Sequence, residues 1–291
     1  MPEMPELQAH AERLTDDFAG VELAKFQALK FTALRTVTPQ PEDAYGHQLE
    51  RVGRRGKYLL LEFAPVTFAV HLMQGGRLLV DPKKSAKPRG GQARFVFTGG
   101  DAVPALLLTE QGTERRAGVW ALDPPTALTS PPLDTLGPEA ATVASDGHLH
   151  VITADVLLER FTLKNQRVHG FLRDQRMLAG LGRLLANEVC HAARLSPFAM
   201  TGSLGPEGAE KVAAAIATCI DVGLAYERTR PDMSSSKDRP AAMHGRTGEP
   251  CPDCGDTVRA VEYVGYTVNY CPTCQTGGKI LADNTTSKFL K

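Results

Sequence analysis

The sequence predicts an α+β protein in which an N-terminal helix and an antiparallel β-sandwich or barrel precede a helical domain with a C-terminal metal-binding hairpin. Three observations support this fold class. Short apolar runs bounded by glycine, proline and charged residues occupy the early part of the chain. Segments of helical character follow a proline-rich stretch. Two Cys-x2-Cys pairs near the C-terminus flank a segment that reads as a β-hairpin.

The first element is a helix over residues 1–18, because its apolar side chains recur three and four residues apart. These apolar positions are Leu7, Ala11, Leu14 and Phe18. Pro5 and Glu6 suit the first helical turn, where proline loses no hydrogen bond and a carboxylate complements the helix dipole. Pro2 lies too far out to help in this way. Removal of Met1 would leave the secondary amine of Pro2 as a free terminus. The two Pro-Glu pairs are therefore consistent either with helix initiation or with a chemical role for the Pro2 amine.

Four short apolar runs predict strands, because each has the length of a strand and is bounded by glycine, proline or charge. They cover residues 57–63, 66–73, 93–100 and 104–112. Their spacing favours an antiparallel sandwich or barrel over a βαβ arrangement.

The segment 122–140 is rich in proline, threonine and serine, so it cannot form regular structure throughout. We therefore predict the main domain boundary there. Helical patterns follow it at 153–165, 184–195 and 208–228. A long polar connection at 229–250 is then either functional or disordered. We therefore divide the chain into a β-rich domain (1–130), a helical domain (131–240) and a metal-binding segment with a tail (241–291).

The composition is that of an ordinary globular protein. The 291 residues carry 33 basic and 33 acidic side chains, so net charge neither favours nor excludes a nucleic-acid partner. Basic clusters at 53–57, 83–94 and 114–116 could line a phosphate-binding surface, although each alone is typical of a solvated face. No apolar run reaches the roughly 18 residues of a membrane span. The acidic N-terminus lacks a signal-peptide core, so we expect a cytoplasmic protein.

Four of the six cysteines form two Cys-x2-Cys pairs that predict a zinc site. The ligands would be Cys251, Cys254, Cys271 and Cys274. Four thiolates suit tetrahedral Zn²⁺ and leave no open position for a substrate, so the expected cofactor is one structural zinc ion. A redox or unoccupied cluster is the alternative. Cys190 and Cys219 lie in helical stretches and are expected to be small buried apolar residues.

Gly180 and Gly182 lie just before a predicted helix and allow a tight entry turn. The first N–H groups of that helix, together with Arg183, would form an anion site. From the glycines alone, a simple helix–helix turn is an equal alternative. The nearby Arg173 and Arg176 favour phosphate contact.

Four motifs, in the same order along nearly the whole chain, resemble those of the Fpg/Nei family of DNA glycosylases with AP-lyase activity. They are the opening MPEMPE, the strand RRGKYLLLEF, the segment DQRMLAGLGRLLANEV with ARLSP after it, and HGRTGEPCPDCG with YCPTCQ. The resemblance implies a β-sandwich, a helix–two-turns–helix motif around the glycine turn, and a zinc finger. It also implies a base-excision repair enzyme that binds damaged DNA as a monomer, needs no small-molecule cofactor beyond zinc, and works at the bacterial nucleoid.

The same resemblance implies that Pro2, freed of Met1, is the nucleophile. An α-amino group titrates near about 8, so part of it is unprotonated at neutral pH. Its attack on sugar C1′ would expel the damaged base and give an iminium ion, from which strand cleavage by elimination can follow. Glu3 would shuttle protons to the opening sugar. Lys57 would reach phosphates around the lesion, unless it is only a solvated lysine at the end of a strand.

Seven further side chains are expected, through the resemblance, to bind DNA around a flipped nucleotide. They are Glu6, His71, Gln74, Arg115, Arg116, Arg183 and Tyr266. The DNA would lie in a cleft between the two main domains, with Pro2 at its floor. The polar connection at 229–250 would close over the flipped base or act as a disordered linker.

Four positions depart from the family pattern. Gln74 replaces a void-filling Met, Ala117 an aromatic wedge, Arg183 an Asn, and Tyr266 an Arg of the zinc finger. Loss of that Arg removes a charge-assisted phosphate contact, while Arg183 returns positive charge. These changes predict an altered lesion or strand preference, towards single-stranded, looped or abasic DNA. A non-catalytic binder of damaged DNA is the second hypothesis, and a zinc-ribbon interaction module on an unrelated body is the third.

Overall fold

The computed structural model describes residues 1–112, 114–233 and 239–281. These residues form two compact units. The first contains Met1–Thr135 and the segment from Leu224 to residue 233; the second contains Leu136–Gly223 and residues 239–281. The division into three domains stays a prediction. Part of the predicted polar connection (234–238) and the end of the predicted tail (282–291) lie outside the described residues.

Helix α1 (Met4–Phe18) opens the first unit and confirms the predicted amphipathic helix. Leu7, Leu14 and Phe18 are buried along one side of it. The helix begins at Met4 and not at the first residue, because the carboxylate of Glu6 accepts a hydrogen bond from the N–H of Glu3 at 3.0 Å. This cap leaves Pro2 and Glu3 as an extended lead-in to the helix.

Eight strands of the first unit form two antiparallel four-stranded sheets. The strands are β1 (Leu23–Ala28), β2 (Leu49–Arg55), β3 (Tyr58–Phe63), β4 (Val66–His71), β5 (Gly76–Asp81), β6 (Gly91–Phe97), β7 (Ala105–Glu110) and β8 (Gly118–Leu122). One sheet has the order β1-β6-β7-β5 and the other β2-β3-β4-β8. Three 3-10 turns, Pro41–Ala44, Gly100–Ala102 and Pro124–Thr129, connect or follow them.

Aromatic side chains between the two sheets show that they pack face to face. The ring of Phe68 in β4 lies 5.7 Å from that of Phe26 in β1 and 5.3 Å from that of Phe95 in β6. Such close ring pairs bury large apolar areas and fix the relative position of the sheets. The predicted antiparallel sandwich is therefore confirmed.

The second unit is mainly helical. Its helices are α2 (Ala154–Leu163), α3 (Val168–Arg173), α4 (Arg183–Ala192), α5 (Gly205–Arg228, which ends in the first unit) and the short α6 (Pro272–Thr276). Two hairpins, β9 (Ala141–Val143) with β10 (Leu149–Val151) and β11 (Arg259–Tyr263) with β12 (Tyr266–Tyr270), and the 3-10 turn Thr201–Ser203 complete it. Among the described residues, no helix combines the length and the apolar character of a membrane span.

Gln175 fixes the turn between α3 and α4. Its side-chain oxygen accepts the N–H of Gly180 at 3.0 Å, and its amide nitrogen donates to the carbonyl of Leu181 at 2.8 Å. Gly180 has a φ of +102°, which explains why glycine is needed there. Gly182 is the N-cap of α4. The turn therefore directs Arg183 into the first turn of the helix.

Candidate functional site

The second and third residues of the chain are buried in the first unit near the β2–β3 turn, and Met1 before them is 44% exposed. Pro2 is buried, and Glu3 is only 4% exposed. The two-residue turn that carries Lys57 depends on Gly56, whose φ is +55°. The Nζ atom of Lys57, a residue 7% exposed, lies 3.8 Å from the Sδ atom of Met1. The structure thus brings together the three residues predicted to be catalytic.

The α-amino group of Met1, the residue before Pro2, has a pKa below its ordinary value. Burial is the main cause, because it disfavours the protonated amine. The carboxylates of Glu3 and Glu6 act in the opposite direction, and the cations of Arg77 and Lys57 lower the pKa further. A partly buried amine among two carboxylates and two cations is suited to nucleophilic attack followed by proton transfer.

His71, one of the predicted DNA-binding residues, lies at the end of β4 near the same site. Burial and the charge of Lys57 lower the pKa of His71 to about 4, so its imidazole is neutral at physiological pH. Its Nδ1 atom accepts the N–H of Met73 at 3.1 Å, and its ring packs 4.5 Å from that of Tyr58. His71 therefore contributes a neutral polar group and not a charge.

Sequence reasoning missed Arg77, which acts electrostatically on both the α-amino group and its surroundings. Burial lowers the pKa of Arg77, while Glu6 raises it. Its place at the start of the apolar strand β5, directly after two glycines, is the signal that could have identified it. A charged residue in such a strand needs a partner when it is partly buried.

Gln74, Arg115 and Arg116 lie on exposed loops of the first unit. Gln74 is at the tip of the β4–β5 turn, beside Met73, whose φ is +52°. Arg115 donates to the carbonyl of Gly112 at 3.3 Å, and Arg116 forms an exposed ion pair with Glu114. Neither of these contacts is with the residues at the chain start.

Ala117 ends the same loop but belongs to the core of the first unit, with an exposure of only 1%. Its N–H donates to the buried carboxylate of Glu110 at 2.6 Å, which fixes the residue where the loop enters β8. A side chain in this position faces the core, so it cannot act as a wedge in DNA.

In the second unit, the structure brings Arg183 and Tyr266 together. The guanidinium carbon of Arg183 lies 5.7 Å from the centre of the Tyr266 ring, and that of Arg173 lies 4.1 Å from it. Tyr263 stacks on Tyr266 with ring centres 4.7 Å apart and planes 6° apart. Arg167 completes this arginine–tyrosine cluster, because it donates to the Tyr263 hydroxyl at 2.9 Å.

The four cysteines of the two Cys-x2-Cys pairs form one cluster in the second unit. Their Sγ atoms all lie within 4.8 Å of one another; Cys251 and Cys274 are 3.9 Å apart, and Cys254 and Cys271 are 3.4 Å apart. Sulfur atoms around a tetrahedral zinc ion are separated by about 3.8 Å, given Zn–S bonds of about 2.3 Å. The donor set and its spacing therefore fit zinc.

His191 of α4 touches this cluster, a contact that sequence reasoning missed. Its Nε2 atom lies 3.4 Å from the Sγ atom of Cys251 and 3.9 Å from a carboxylate oxygen of Asp253. Cys190 and Cys219 lie elsewhere: Cys190 is buried and Cys219 half-buried. Burial raises the pKa of Cys219 to about 12, which makes it an inert thiol.

Comparison with known proteins identifies the same family that the sequence motifs resemble. The profile of the formamidopyrimidine-DNA glycosylase N-terminal domain matches residues 1–107. An uncharacterized formamidopyrimidine-DNA glycosylase-like protein of Mycobacterium tuberculosis is 35% identical over 158 residues, which are 54% of this chain and 94% of that protein. The formamidopyrimidine-DNA glycosylase of Exiguobacterium sibiricum is 28% identical over 285 residues, which are 94% of this chain and 99% of the relative.

Solved structures share the fold. The Lactococcus lactis formamidopyrimidine-DNA glycosylase bound non-covalently to DNA with an AP site has a TM-score of 0.79 at 19% identity, with 94% of this chain and 99% of that chain covered. MutM in complex with DNA containing carbocyclic 8-oxo-G has a TM-score of 0.78 at 19% identity, with 94% and 100% covered. Taken together with the motifs, these matches show that the chain belongs to the formamidopyrimidine-DNA glycosylase (Fpg/Nei) family.

Proposed function

We propose that the protein is a base-excision DNA repair enzyme, a DNA glycosylase with AP-lyase activity, whose nucleophile is the amine of Pro2 after removal of Met1. The observation that carries this proposal is the environment of the chain start. The α-amino group of Met1 is partly buried, has a lowered pKa, and lies among carboxylates and cations. Pro2 is the next residue, so after removal of Met1 its nitrogen lies within about one residue length of that position.

The reaction follows from these groups. The nitrogen lone pair forms a bond to C1′ of a flipped nucleotide, and the damaged base leaves with a proton. The sugar ring opens at O4′, which takes a proton from Glu3, and an iminium ion joins Pro2 to C1′. Loss of a proton from C2′ then expels the 3′ phosphate and cleaves the strand. Water finally hydrolyses the iminium ion and regenerates the amine.

The remaining groups of this site have supporting roles in the proposal. Lys57, held at the β2–β3 turn, stabilises phosphate charge near the lesion. Glu6 fixes Glu3 through the 3.0 Å hydrogen bond to its N–H. His71 offers a neutral imidazole, since a pKa of about 4 leaves it uncharged during turnover.

The proposed partner is damaged DNA, and the proposed cofactor is one structural zinc ion held by Cys251, Cys254, Cys271 and Cys274. Four sulfur ligands complete a tetrahedral site, so the ion would stabilise the hairpin and take no part in the reaction. We further propose that the protein acts as a monomer at the bacterial nucleoid, where its substrate would be found.

Borohydride trapping tests the lyase chemistry. Purified protein, with loss of Met1 established by mass spectrometry, is incubated with an oligonucleotide that holds one abasic site, as a single strand and as a duplex. Borohydride reduces the iminium ion to a stable covalent adduct, which we expect for the wild type. Pro2→Gly replaces the secondary amine with a primary one and removes the ring, and we expect it to lose most of the adduct.

Pro5→Gly is the matched control for this experiment. Pro5 lies in the first turn of α1 and its nitrogen is part of the chain, so this variant should keep the adduct. Equal trapping by both glycine variants, or a wild-type adduct attached at another residue, would overturn the assignment of Pro2.

A second candidate, a non-catalytic binder of damaged DNA, is favoured by one observation. Ala117 lies in the core where the resemblance expects an aromatic wedge, so this position offers no side chain to fill an opened duplex. The same experiment separates the candidates, because such a binder would retain the abasic DNA in a gel shift but give no adduct. A higher yield of adduct on the single strand would support the altered strand preference.

A further inference from the structure

The arginine–tyrosine cluster contains positive charge that the protein itself does not neutralise. Within the described ranges, no Asp or Glu side chain forms an ion pair with Arg167, Arg173 or Arg183. Asp174, the acid next to Arg173 in sequence, instead faces Lys164 at 3.8 Å. Arg173 and Arg183 are half-buried, and guanidinium groups placed in this way without a carboxylate are suited to an external anion.

Three separate elements meet in this cluster. Arg173 is the last residue of α3, Arg183 is the first residue of α4, and Tyr266 is the first residue of β12. The two arginines are ten positions apart in sequence and converge on one ring, at 4.1 Å and 5.7 Å. A contact of this kind attracts the guanidinium electrostatically to the face of the ring.

The ring of Tyr266 is already engaged by protein groups. Tyr263 stacks on it at 4.7 Å and Arg173 packs against it at 4.1 Å, so little of it is left to stack on a nucleobase. The hydroxyl of Tyr266 has no hydrogen-bond partner among the described residues, so Tyr266 contacts its neighbours through the ring. Tyr266 thus holds cations and does not itself read DNA.

A further neighbour of the Tyr266 ring, His169, adds no charge. His169 is buried and stacks on Tyr266 with planes 8° apart. Burial, and next the charge of Arg173, lower the pKa of His169 to about 3, so its imidazole is neutral. The positive charge of the cluster therefore belongs to the arginines alone.

We propose that Arg173 and Arg183 form a phosphate clamp for the DNA backbone and that Tyr266 is the positioning residue that holds both guanidinium groups. The inference rests on the proposed function in taking DNA as the ligand. Tyr266 stands where the family pattern has an Arg of the zinc finger. In this proposal the arginines at the α3–α4 turn supply that positive charge, and the hairpin supplies the aromatic ring that supports them. Planar guanidinium groups bind phosphate oxygens in pairs, which a lysine cannot do.

The test measures the dissociation constant for a duplex with one abasic site as a function of salt concentration. Removal of one arginine–phosphate interaction should lower the slope of log K against log [salt] by about 0.9. We expect Arg173→Ala and Arg183→Ala to show this change and to weaken binding about tenfold at low salt. Lys211→Ala is the control, because it removes one positive charge of the same unit that is already paired with Glu207.

Tyr266 is tested by a double-mutant cycle. Tyr266→Ala should weaken binding, and Arg173→Ala should cost much less in the Tyr266→Ala background than in the wild type. Tyr266→Phe should bind like the wild type, because it keeps the ring. Arg173→Lys should keep the salt slope but bind more weakly, since its charge is retained without the planar fork.

Three results would overturn the clamp. The first is a salt slope for the arginine variants equal to that of Lys211→Ala. The second is additive effects of Arg173→Ala and Tyr266→Ala on the free energy of binding. The third is a loss of DNA affinity in Tyr266→Phe as large as in Tyr266→Ala. Borohydride trapping by the wild type at saturating DNA is measured in parallel. Its absence would overturn the lyase function while the salt slopes still decide the clamp. A wild type that binds no DNA at low salt would overturn both.

Discussion

Single residues at the chain start affect both the capping of α1 and the pKa of the α-amino group. The Glu6 carboxylate caps α1 by accepting the N–H of Glu3, and it also raises the pKa of the α-amino group. Arg77 and Lys57 lower that pKa, in the same direction as burial. The reactivity of the amine therefore depends on the balance between the carboxylates of Glu3 and Glu6 and the cations of Arg77 and Lys57.

This balance predicts a shift in the pH profile of trapping. The amine attacks only when unprotonated, so the wild-type rate of adduct formation should rise with pH, with a midpoint below the ordinary pKa of about 8. Arg77→Met removes a cation that disfavours the protonated amine, so its midpoint should move to higher pH.

Arg51→Met is the matched control for Arg77→Met, because Arg51 pairs with Glu62 at the surface and does not act on the amine. Its midpoint should equal that of the wild type. A midpoint for Arg77→Met at or below the wild-type value would contradict the electrostatic account.

Residues in contiguous motifs could be predicted from the sequence, whereas residues joined only by the fold could not. Pro2, Glu3 and Lys57 lie in short motifs, and the Nζ atom of Lys57 lies 3.8 Å from the Sδ atom of Met1, the residue before Pro2; their catalytic roles stay a prediction. Arg77 is marked in the sequence as a charged residue at the start of an apolar strand, but its effect on the amine depends on the fold and cannot be predicted from the strand alone. The same holds for the contact between Arg173 and Tyr266, which are 93 positions apart in sequence.

Among the elements, α4 links the glycine turn to the segment before the zinc cluster. The carboxylate of Glu188 accepts three backbone N–H groups, those of Ala242, Met243 and His244, at 2.6, 3.0 and 2.8 Å. Asn187, the preceding residue, bonds to the ring of His244 at 2.8 Å. One turn of helix therefore anchors a segment more than fifty positions away.

Glu188→Gln should destabilise this anchor. The amide puts an NH2 group where a carboxylate oxygen accepted hydrogen bonds, so charge-assisted bonds are removed and donors face one another. We expect a loss of about 2 kcal/mol in the free energy of opening, measured by hydrogen exchange of the amides of Ala242, Met243 and His244. Glu210→Gln, an exposed change on α5, should leave their exchange unaltered, and equal protection in both variants would contradict the role of Glu188.

At the scale of the whole molecule, buried histidines couple stability to pH. Burial lowers the pKa of His10 to about 4, of His71 to about 4 and of His169 to about 3. The unfolded chain binds protons at these positions below about pH 6.5, but the folded protein does not. Stability from these groups is therefore present above about pH 6.5 and is lost as the pH falls towards 4.

His10→Gln tests this coupling in urea unfolding between pH 7 and pH 4. The Nε2 atom of His10 donates to the carbonyl of Leu78 at 2.7 Å, a bond that a glutamine amide can replace. The variant should lose about 3 kcal/mol less stability over this range than the wild type, from the shift in pKa. His148→Gln, at an exposed position, should follow the wild type; the same pH dependence in His10→Gln would refute the coupling.

The sandwich, the helices and the cysteine cluster could be predicted because each is encoded by a local pattern. The apolar runs predict β3, β4, β6 and β7 within a few residues of their observed bounds. The strands β1 and β2 carry more polar residues, whereas the apolar runs in β5 and β8 are only three or four residues long. Their pairing depends on partners distant in sequence, as in the pairing of β1 with β6.

The burial of Pro2 has a practical consequence for anyone who expresses this protein. An affinity tag fused ahead of the first residue converts the proline nitrogen into a tertiary amide, which has no lone pair free to attack a sugar. A fusion at the opposite terminus leaves the proline nitrogen free, so preparations tagged at the two ends should differ completely in lyase activity while sharing the same fold.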